Sequence, residues 1–269
     1  MTLYPADPLR PRIIGAINWR GLWTLSAKEI RRFTKIMGQT VIAPLVTTLL
    51  YYLVFNVSLG SSGPAAGGLP YMAFLVPGLI MMSMAQNAFT STSSSIVISK
   101  VQGNIVDVLM PPLSPMELVI GYTIGGIVRG LAVGAVSVVV MLTLLDMRIG
   151  SPGFVVYHAI MGSMMLALLG LMSGIWSNRF DQLAVVQNFI VMPATFLSGT
   201  FFSVQKLPGL WRGICHINPF FYMIDGFRYG FVGVSDDTLV TGLVVMAGVN
   251  AVLLVCAYVM IASGYKLRS

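Results

Sequence analysis

Long apolar segments alternate with short polar connections along most of this chain. Residues 36–99 contain no Lys, Arg, Asp or Glu. A bilayer core about 30 Å thick is crossed by roughly 20 apolar residues in helical form. Six segments reach that length and predict six transmembrane helices, at about 36–57, 70–92, 118–145, 153–177, 182–203 and 239–263. The pattern therefore predicts an all-α integral membrane fold, with an N-terminal tail at 1–16 and one transmembrane domain at 17–269.

Charge is scarce and unevenly distributed. The chain is 56% hydrophobic and only 9% charged, whereas a soluble domain carries roughly 25% charged residues. Eleven Lys and Arg residues lie on the side of the membrane that holds both termini, and four lie on the opposite side. Because short cytoplasmic segments are enriched in Lys and Arg, both termini are predicted to be cytoplasmic. The net charge of +7 forms no clustered recognition face, so nucleic acid is not expected as a partner.

The polar segment before the first span predicts an amphipathic helix. Apolar side chains recur there at helical spacing and form one mostly apolar stripe of Trp19, Leu22, Trp23, Ser26, Ile30, Phe33 and Met37. Most basic side chains lie off that stripe. A basic amphipathic helix with tryptophans is typical of the membrane interface. Two interpretations fit this pattern: a lipid anchor alone, or an anchor that also presents its polar face to a partner.

A charged stretch, SKVQGNIVDVLMPPLSP at 99–115, separates spans two and three. Helical spacing places two sets of side chains on separate faces: Val101, Ile105, Val108 and Leu109 on one, and Lys100, Asn104 and Asp107 on the other. Pro111 and Pro112 end this helix, because proline disfavours a helical residue before it. Ser114 and Glu117 then predict a capping box that begins span three. The stretch is either a two-faced cytoplasmic helix or an ordinary turn with some helix.

The segment at 204–238 is too charged to span a membrane and carries seven Phe, Tyr and Trp residues. Asn218 and Pro219 predict a helix start. Asp225 and Arg228, three residues apart, predict an ion pair on that helix. We expect one or two short re-entrant helices in the outer leaflet; the alternative is an aromatic belt that only sets membrane depth.

The chemistry of an enzyme is missing from this sequence. No G-x-x-x-x-G-K-[ST] motif occurs, so the chain is not expected to bind ATP through a P-loop or to be an enzyme itself. His158 and His216 are isolated, and no metal site is predicted. No Asp or Glu lies within a predicted span, which disfavours ion-coupled transport. Arg129 is the one charge inside a predicted span. It serves either transport or a structural role, as a snorkelling or carbonyl-bonded arginine between helices.

Four motifs in this order resemble the type-2 ABC exporter permeases: YMAFLVPGLIMMSM (71–84), K-x-x-G-N-I-x-D-x-L-M-P-P-L-S-P (100–115), NPFFYMIDGFRYGF (218–231) and GYKLRS (264–269). The resemblance is strongest to the YadH-like branch and more distant to NodJ-like lipo-oligosaccharide exporters. It implies a homodimer in the lipid of the bacterial inner membrane, paired with two copies of a separately encoded subunit that holds ATP and Mg. It also implies export from the cytoplasm or the inner leaflet.

The resemblance assigns roles to three segments: an elbow helix at 17–35, a coupling helix at 94–110 and a re-entrant pair at 208–232. Elbow residues are Trp19, Arg20, Trp23, Lys28, Glu29, Arg31 and Arg32. Residues expected to couple to the ATPase are Lys100, Val101, Asn104, Ile105, Asp107, Val108 and Leu109. The re-entrant residues are Asn218, Pro219, Asp225 and Arg228.

Spans one, two and five are expected to line the substrate route in this family. Their candidate residues are Gln39, Thr47, Tyr51, Asn87, Thr90, Asn188, Met192 and Thr195. A mildly polar lining with methionines suits an amphipathic or lipid-like substrate, although the same residues could serve helix packing. The alternative function is a passive channel or an ion-coupled secondary transporter without an ATPase partner.

Overall fold

The structure is a computed structural model that describes residues 15–35, 37–59, 70–145 and 148–267. Every regular element in these ranges is helical, which confirms the all-α prediction. The helices in chain order are α1 (Trp19–Thr34), α2 (Met37–Leu59), α3 (Tyr71–Val101), α4 (Ile105–Leu109), α5 (Pro115–Leu145), α6 (Pro152–Trp176), α7 (Phe180–Val186), α8 (Met192–Phe196), α9 (Gly209–Ile217), α10 (Pro219–Val232) and α11 (Leu239–Ala262). A π-helical turn at Gln187–Val191 joins α7 to α8, and a 3-10 turn at Val204–Lys206 precedes α9. Most of the predicted tail, residues 1–14, lies outside the described residues.

Five helices are long and apolar enough to cross a membrane, namely α2, α3, α5, α6 and α11. They correspond to five of the six predicted spans. Helix α3 continues to Val101, nine residues beyond the predicted end of span two at residue 92. The Ser93 and Ser99 hydroxyls donate to the carbonyls of Phe89 and Ser95, so their hydrogen bonds are made within the helix itself.

The predicted helix at 182–203 has a different form. The chain is helical only to Phe196 and is interrupted by the π-helical turn. Pro193 has no N–H to donate to the preceding turn, and a π-helical turn accommodates such a break. Gly199, with φ of +74°, then turns the chain out of the helical direction. The prediction of helix up to residue 203 is therefore wrong.

Helices α3 and α6 form the centre of the protein. In the most apolar 18-residue stretch of α3, 78% of the residues are buried, whereas the corresponding shares are 11% in α2 and 17% in α11. Small residues bring the two central helices together: a Cβ at Gly174 of α6 would lie 2.9 Å from the Ser93 carbonyl oxygen of α3. The Thr92 hydroxyl donates to the Ala167 carbonyl across this interface, at 2.7 Å. Such close packing of small residues is the usual basis of helix association in membranes.

Helix α5 packs through two small residues four positions apart, Gly126 and Gly130. A Cβ at Gly126 would lie 2.7 Å from the Ala167 Cβ, and one at Gly130 would lie 2.8 Å from the Ser163 hydroxyl. Both positions therefore require glycine for the observed approach of α5 to α6. The pair forms a small-xxx-small step, which lets membrane helices approach closely.

Helix α1 lies against the N-terminal half of α5. Leu25 packs on Gly121, where an added Cβ would lie 2.6 Å from the Leu25 side chain. Phe33 and Ser26 are buried, whereas Trp19 and Trp23 are 69% and 73% exposed. The predicted apolar stripe is therefore split between a protein-facing side and a tryptophan side that faces away from the protein. The Met37 side chain lies outside the described residues.

Candidate functional site

Two predicted segments meet at one surface of the molecule. A cleft of ≈ 850 Å³, here called the elbow cleft, lies between α1 and residues 104–113. Its walls contain two predicted elbow residues, Arg20 and Lys28, and three predicted coupling residues, Asn104, Asp107 and Val108. Residues about eighty positions apart in the chain thus form one mixed apolar and charged surface.

A set of polar contacts joins the two walls of the elbow cleft. The Glu117 carboxylate accepts from the Ser114 amide at 2.6 Å and from the Asn18 amide. The Glu117 amide donates back to the Ser114 hydroxyl at 3.3 Å, which confirms the predicted capping box. The Asn18 side chain donates to the Pro112 carbonyl at 3.1 Å. The beginning of α1 is therefore fixed to the beginning of α5.

The predicted coupling helix is shorter than expected. Residues up to 101 belong to α3, and α4 contains only Ile105–Leu109. Gly103, with φ of +72°, adopts a left-handed conformation that ends α3 and separates the two helices. The predictions of one helix at 94–110, and of Val101 on a common face with Ile105, are therefore wrong.

The two predicted faces of this segment are also rearranged. Ile105, Val108 and Leu109 pack against the protein interior, whereas Val101 is exposed. The Lys100 ammonium donates to the carbonyls of Ile175 and Ser177, so it closes the C-terminal end of α6 instead of facing the elbow cleft. Lysine at this position satisfies carbonyls that a helix end leaves unpaired.

Sequence reasoning missed two residues on the outer face of α4. Val106 is 56% exposed and Met110 is 76% exposed. They are four residues apart, so the i, i+4 spacing is a signal that could have identified them. Together with Val101 they give this surface an apolar character that a polar turn would lack.

The elbow residues divide into inward and outward groups. Glu29 is buried and pairs with Arg32 at 3.2 Å. Glu29 also accepts from the Ser95 hydroxyl at 2.9 Å, and Arg32 donates to the Ser91 carbonyl, so both residues tie α1 to α3. Arg31, in contrast, is exposed. The inward pair serves the fold, and the remaining predicted elbow residues stay accessible.

A second cleft, here called the path cleft, has a volume of ≈ 320 Å³ and lies between α2, α3 and Met192. It brings together four of the predicted path residues: Thr47, Tyr51, Asn87 and Met192. Sequence reasoning missed Ser83 and Gln86, which line it on α3.

The other four predicted path residues do not line the path cleft. Gln39 and Asn188 are exposed elsewhere. Thr90 and Thr195 donate to carbonyls of their own helices, at Gln86 and Val191.

The segment after the 3-10 turn forms the two predicted short helices, α9 and α10. Asn218 caps α10 by accepting from the Phe220 amide at 3.1 Å, with Pro219 in the first turn, as predicted. Its side chain also donates to the Ala194 carbonyl at 2.6 Å, which links α10 to α8. Helix α10 is mostly buried, whereas α9 exposes Leu210 and Ile217.

Arg228 is the centre of a buried polar cluster on α10. Its guanidinium donates to the carbonyls of Gly199 at 2.6 Å and Phe74 at 3.1 Å, and lies 3.7 Å above the Phe74 ring. The predicted ion pair with Asp225 is present at 3.9 Å. Burial raises the pKa of Asp225 above its usual range, although the Ser235 hydroxyl, the Asp236 amide and Arg228 each oppose that rise. This cluster holds α3, α10 and the turn after α8 together.

The sequence matches the family described as ABC-2 type transporter over residues 20–232, from α1 to the end of α10. The chain belongs to this family. It is 38% identical to the inner membrane transport permease YadH of Escherichia coli over 254 residues, which is 94% of this chain and 99% of that protein. It is 23% identical to nodulation protein J of Neorhizobium galegae over 231 residues, covering 85% of this chain and 87% of that protein.

Family membership fixes the general role of this permease. It is a multi-pass protein of the inner membrane and the membrane component of an ABC transporter, not the ATPase itself. The family implies a partner that binds ATP. Within the described residues, no group of His, Cys, Asp and Glu could hold a metal ion.

Proposed function

We propose that this permease forms the membrane part of an ATP-driven exporter for an amphipathic or lipid-like substrate. Two copies pair with two copies of a separately encoded ATPase that holds ATP and Mg. The segment at 180–196 acts as the sixth crossing, so that both termini face the cytoplasm. Helices α9 and α10 enter the outer leaflet without crossing it.

The observation that carries this proposal is the elbow cleft with the adjoining face of α4. Arg20, Lys28 and Asp107 give this surface charges of both signs, and Val106 and Met110 add exposed apolar area. The positive-inside distribution supports a cytoplasmic position for this surface. An exposed apolar face with a polar rim is the usual composition of a protein docking surface.

The path cleft supports the substrate class. Its walls combine hydroxyl and amide groups of Thr47, Ser83 and Gln86 with the apolar side chains of Met82 and Met192. Among the described residues, no carboxylate lines it, and a proton- or sodium-coupled site generally requires one. A mixed wall of this kind suits a molecule with a polar head and an apolar body.

The experiment is co-purification of the ATPase with variants of the exposed α4 face. Val106→Asp combined with Met110→Asp places charges where apolar contacts are expected, and we predict about a tenfold loss of bound ATPase. Leu210→Asp is the matched control, because Leu210 is 74% exposed on α9 at the opposite side of the proposed topology. Membrane insertion should be unchanged in all variants.

Two results would contradict the proposal. One is undiminished ATPase binding by the double variant. The other is transport by the permease alone, in vesicles without any nucleotide hydrolase.

A further inference from the structure

Arg129 places a positive charge within α5, one helical turn beyond Gly125, the position that receives Glu29 of α1. The side chain is half-buried, and its Nη2 donates to the Asn87 Oδ1 at 3.3 Å. Its Nε is buried and has no hydrogen-bond partner among the described residues. One donor of the guanidinium is therefore satisfied by a neutral amide, and another is not satisfied at all.

No carboxylate of the described segments compensates this charge. Their ion pairs are Arg32 with Glu29, His216 with Asp237, and Arg228 with Asp225. Arg129 has an electrostatic interaction with Arg32, which is also a cation and is already paired with Glu29. An unpaired arginine within a span is costly even on insertion scales, and membrane arginines normally find an anion or a carbonyl.

The Asn87 amide connects Arg129 to the path cleft. Its Nδ2 donates to the Ser83 carbonyl at 3.0 Å, which fixes the amide so that Oδ1 points to Arg129. Asn87, Ser83 and Gln86 all line the path cleft. Arg129 therefore stands directly behind the cleft wall.

We propose that Arg129, oriented by Asn87, binds the anionic headgroup of an amphipathic lipid, a phosphate or a carboxylate, while its apolar part lies along the path cleft. Here the inference rests on the proposed function, because it makes this lipid the transported class. The guanidinium is suited to the role because its planar fork binds two oxygens of one anion. Under the proposed topology, the headgroup enters from the inner leaflet.

The test measures lipid binding by the purified full-length permease in neutral detergent, without the ATPase. Three probes are titrated separately: dioctanoyl phosphatidylglycerol, dioctanoyl phosphatidylcholine and inorganic phosphate. We expect the wild type to bind the anionic lipid most tightly. Arg129→Gln should weaken that binding by about tenfold, and Arg129→Lys should weaken it less. Arg148→Gln is the control, because Arg148 is exposed between α5 and α6.

Thermal unfolding of Arg129→Met without anionic lipid provides a second readout. If Arg129 is uncompensated until the lipid binds, this variant should melt at or above the wild-type temperature, because the substitution removes an uncompensated charge. A lower melting temperature shows a structural arginine and overturns the inference. Equal binding of both lipids, or Arg129-dependent binding of free phosphate as tight as that of the anionic lipid, overturns it as well. Undiminished ATPase binding by the Val106→Asp, Met110→Asp double variant would contradict the proposed function and leave this lipid-binding result intact.

Discussion

Replacing Arg228 with methionine is the most informative test of how α3, α10 and the turn after α8 are held together. Methionine has a similar length but no donor. The change removes the bonds to the Gly199 and Phe74 carbonyls and leaves Asp225 without its cation. Breaking one side of a buried ion pair costs about 3–5 kcal/mol, since an uncompensated charge remains. The lost hydrogen bonds are part of the same cluster and do not add fully.

The assay is thermal unfolding in detergent, followed by circular dichroism. A loss of about 4 kcal/mol in the free energy of unfolding corresponds to a fall of about 10 °C in the melting temperature for a chain of this size. Arg212→Met, on exposed α9, is the matched control and should melt with the wild type. Adding Asp225→Asn to Arg228→Met should recover part of the loss, because the orphaned carboxylate is gone.

The pH dependence of the same variant has a definite sign. Burial already raises the pKa of Asp225, and removing Arg228 raises it further. The folded variant then binds a proton that the unfolded chain has released, so its stability falls as the pH rises through this interval. The difference in melting temperature between this variant and the wild type should become smaller as the pH is lowered from about 7 to about 5. A gap that is constant with pH, or a melting temperature within about 2 °C of the wild type, would refute the reasoning.

Three further changes test the other contacts that organise the fold. Gly170→Ala should lower the free energy of unfolding by about 1–3 kcal/mol, because the new methyl would overlap the Phe89 carbonyl; Gly153→Ala, with open space around it, should leave the melting curve unchanged. Glu117→Ala should cost about 1–2 kcal/mol and speed trypsin cleavage within α1, whereas unchanged digestion would mean that α1 is held in another way. Asn218→Ala should cost about 1 kcal/mol, and a melting temperature equal to the wild type would contradict its role as the α10 cap.

The sequence was sufficient for features that depend on local chemistry. Apolar length located five spans, and the spacing of Ser114 from Glu117 predicted their capping box. The Asn218–Pro219 pair predicted the start of α10 in the same way. Each of these signals lies within a few residues of the feature it predicts, so no knowledge of the packing is required.

Other features were not predictable, because they depend on what surrounds them. Hydrophobic spacing alone assigned Val101 and Ile105 to one face, since it does not report the left-handed turn at Gly103. The inward position of Glu29 depends on Gly125, almost a hundred residues away, where only a glycine leaves room for it. Likewise, the sequence favoured Lys100 as an exposed residue that contacts the ATPase. Only the fold brings it to the carbonyls at the C-terminal end of α6.

The joint made by Asn18, Pro112 and Glu117 has a consequence for constructing chimaeras of this permease. Its two sides belong to segments that a sequence alignment would treat as independent modules. Because Leu113 fits against Gly21, where a Cβ would lie 2.6 Å from it, the two segments also match in shape. A graft of residues 104–117 from a relative that recognises another ATPase should therefore fail unless residues 18–25 are exchanged with it.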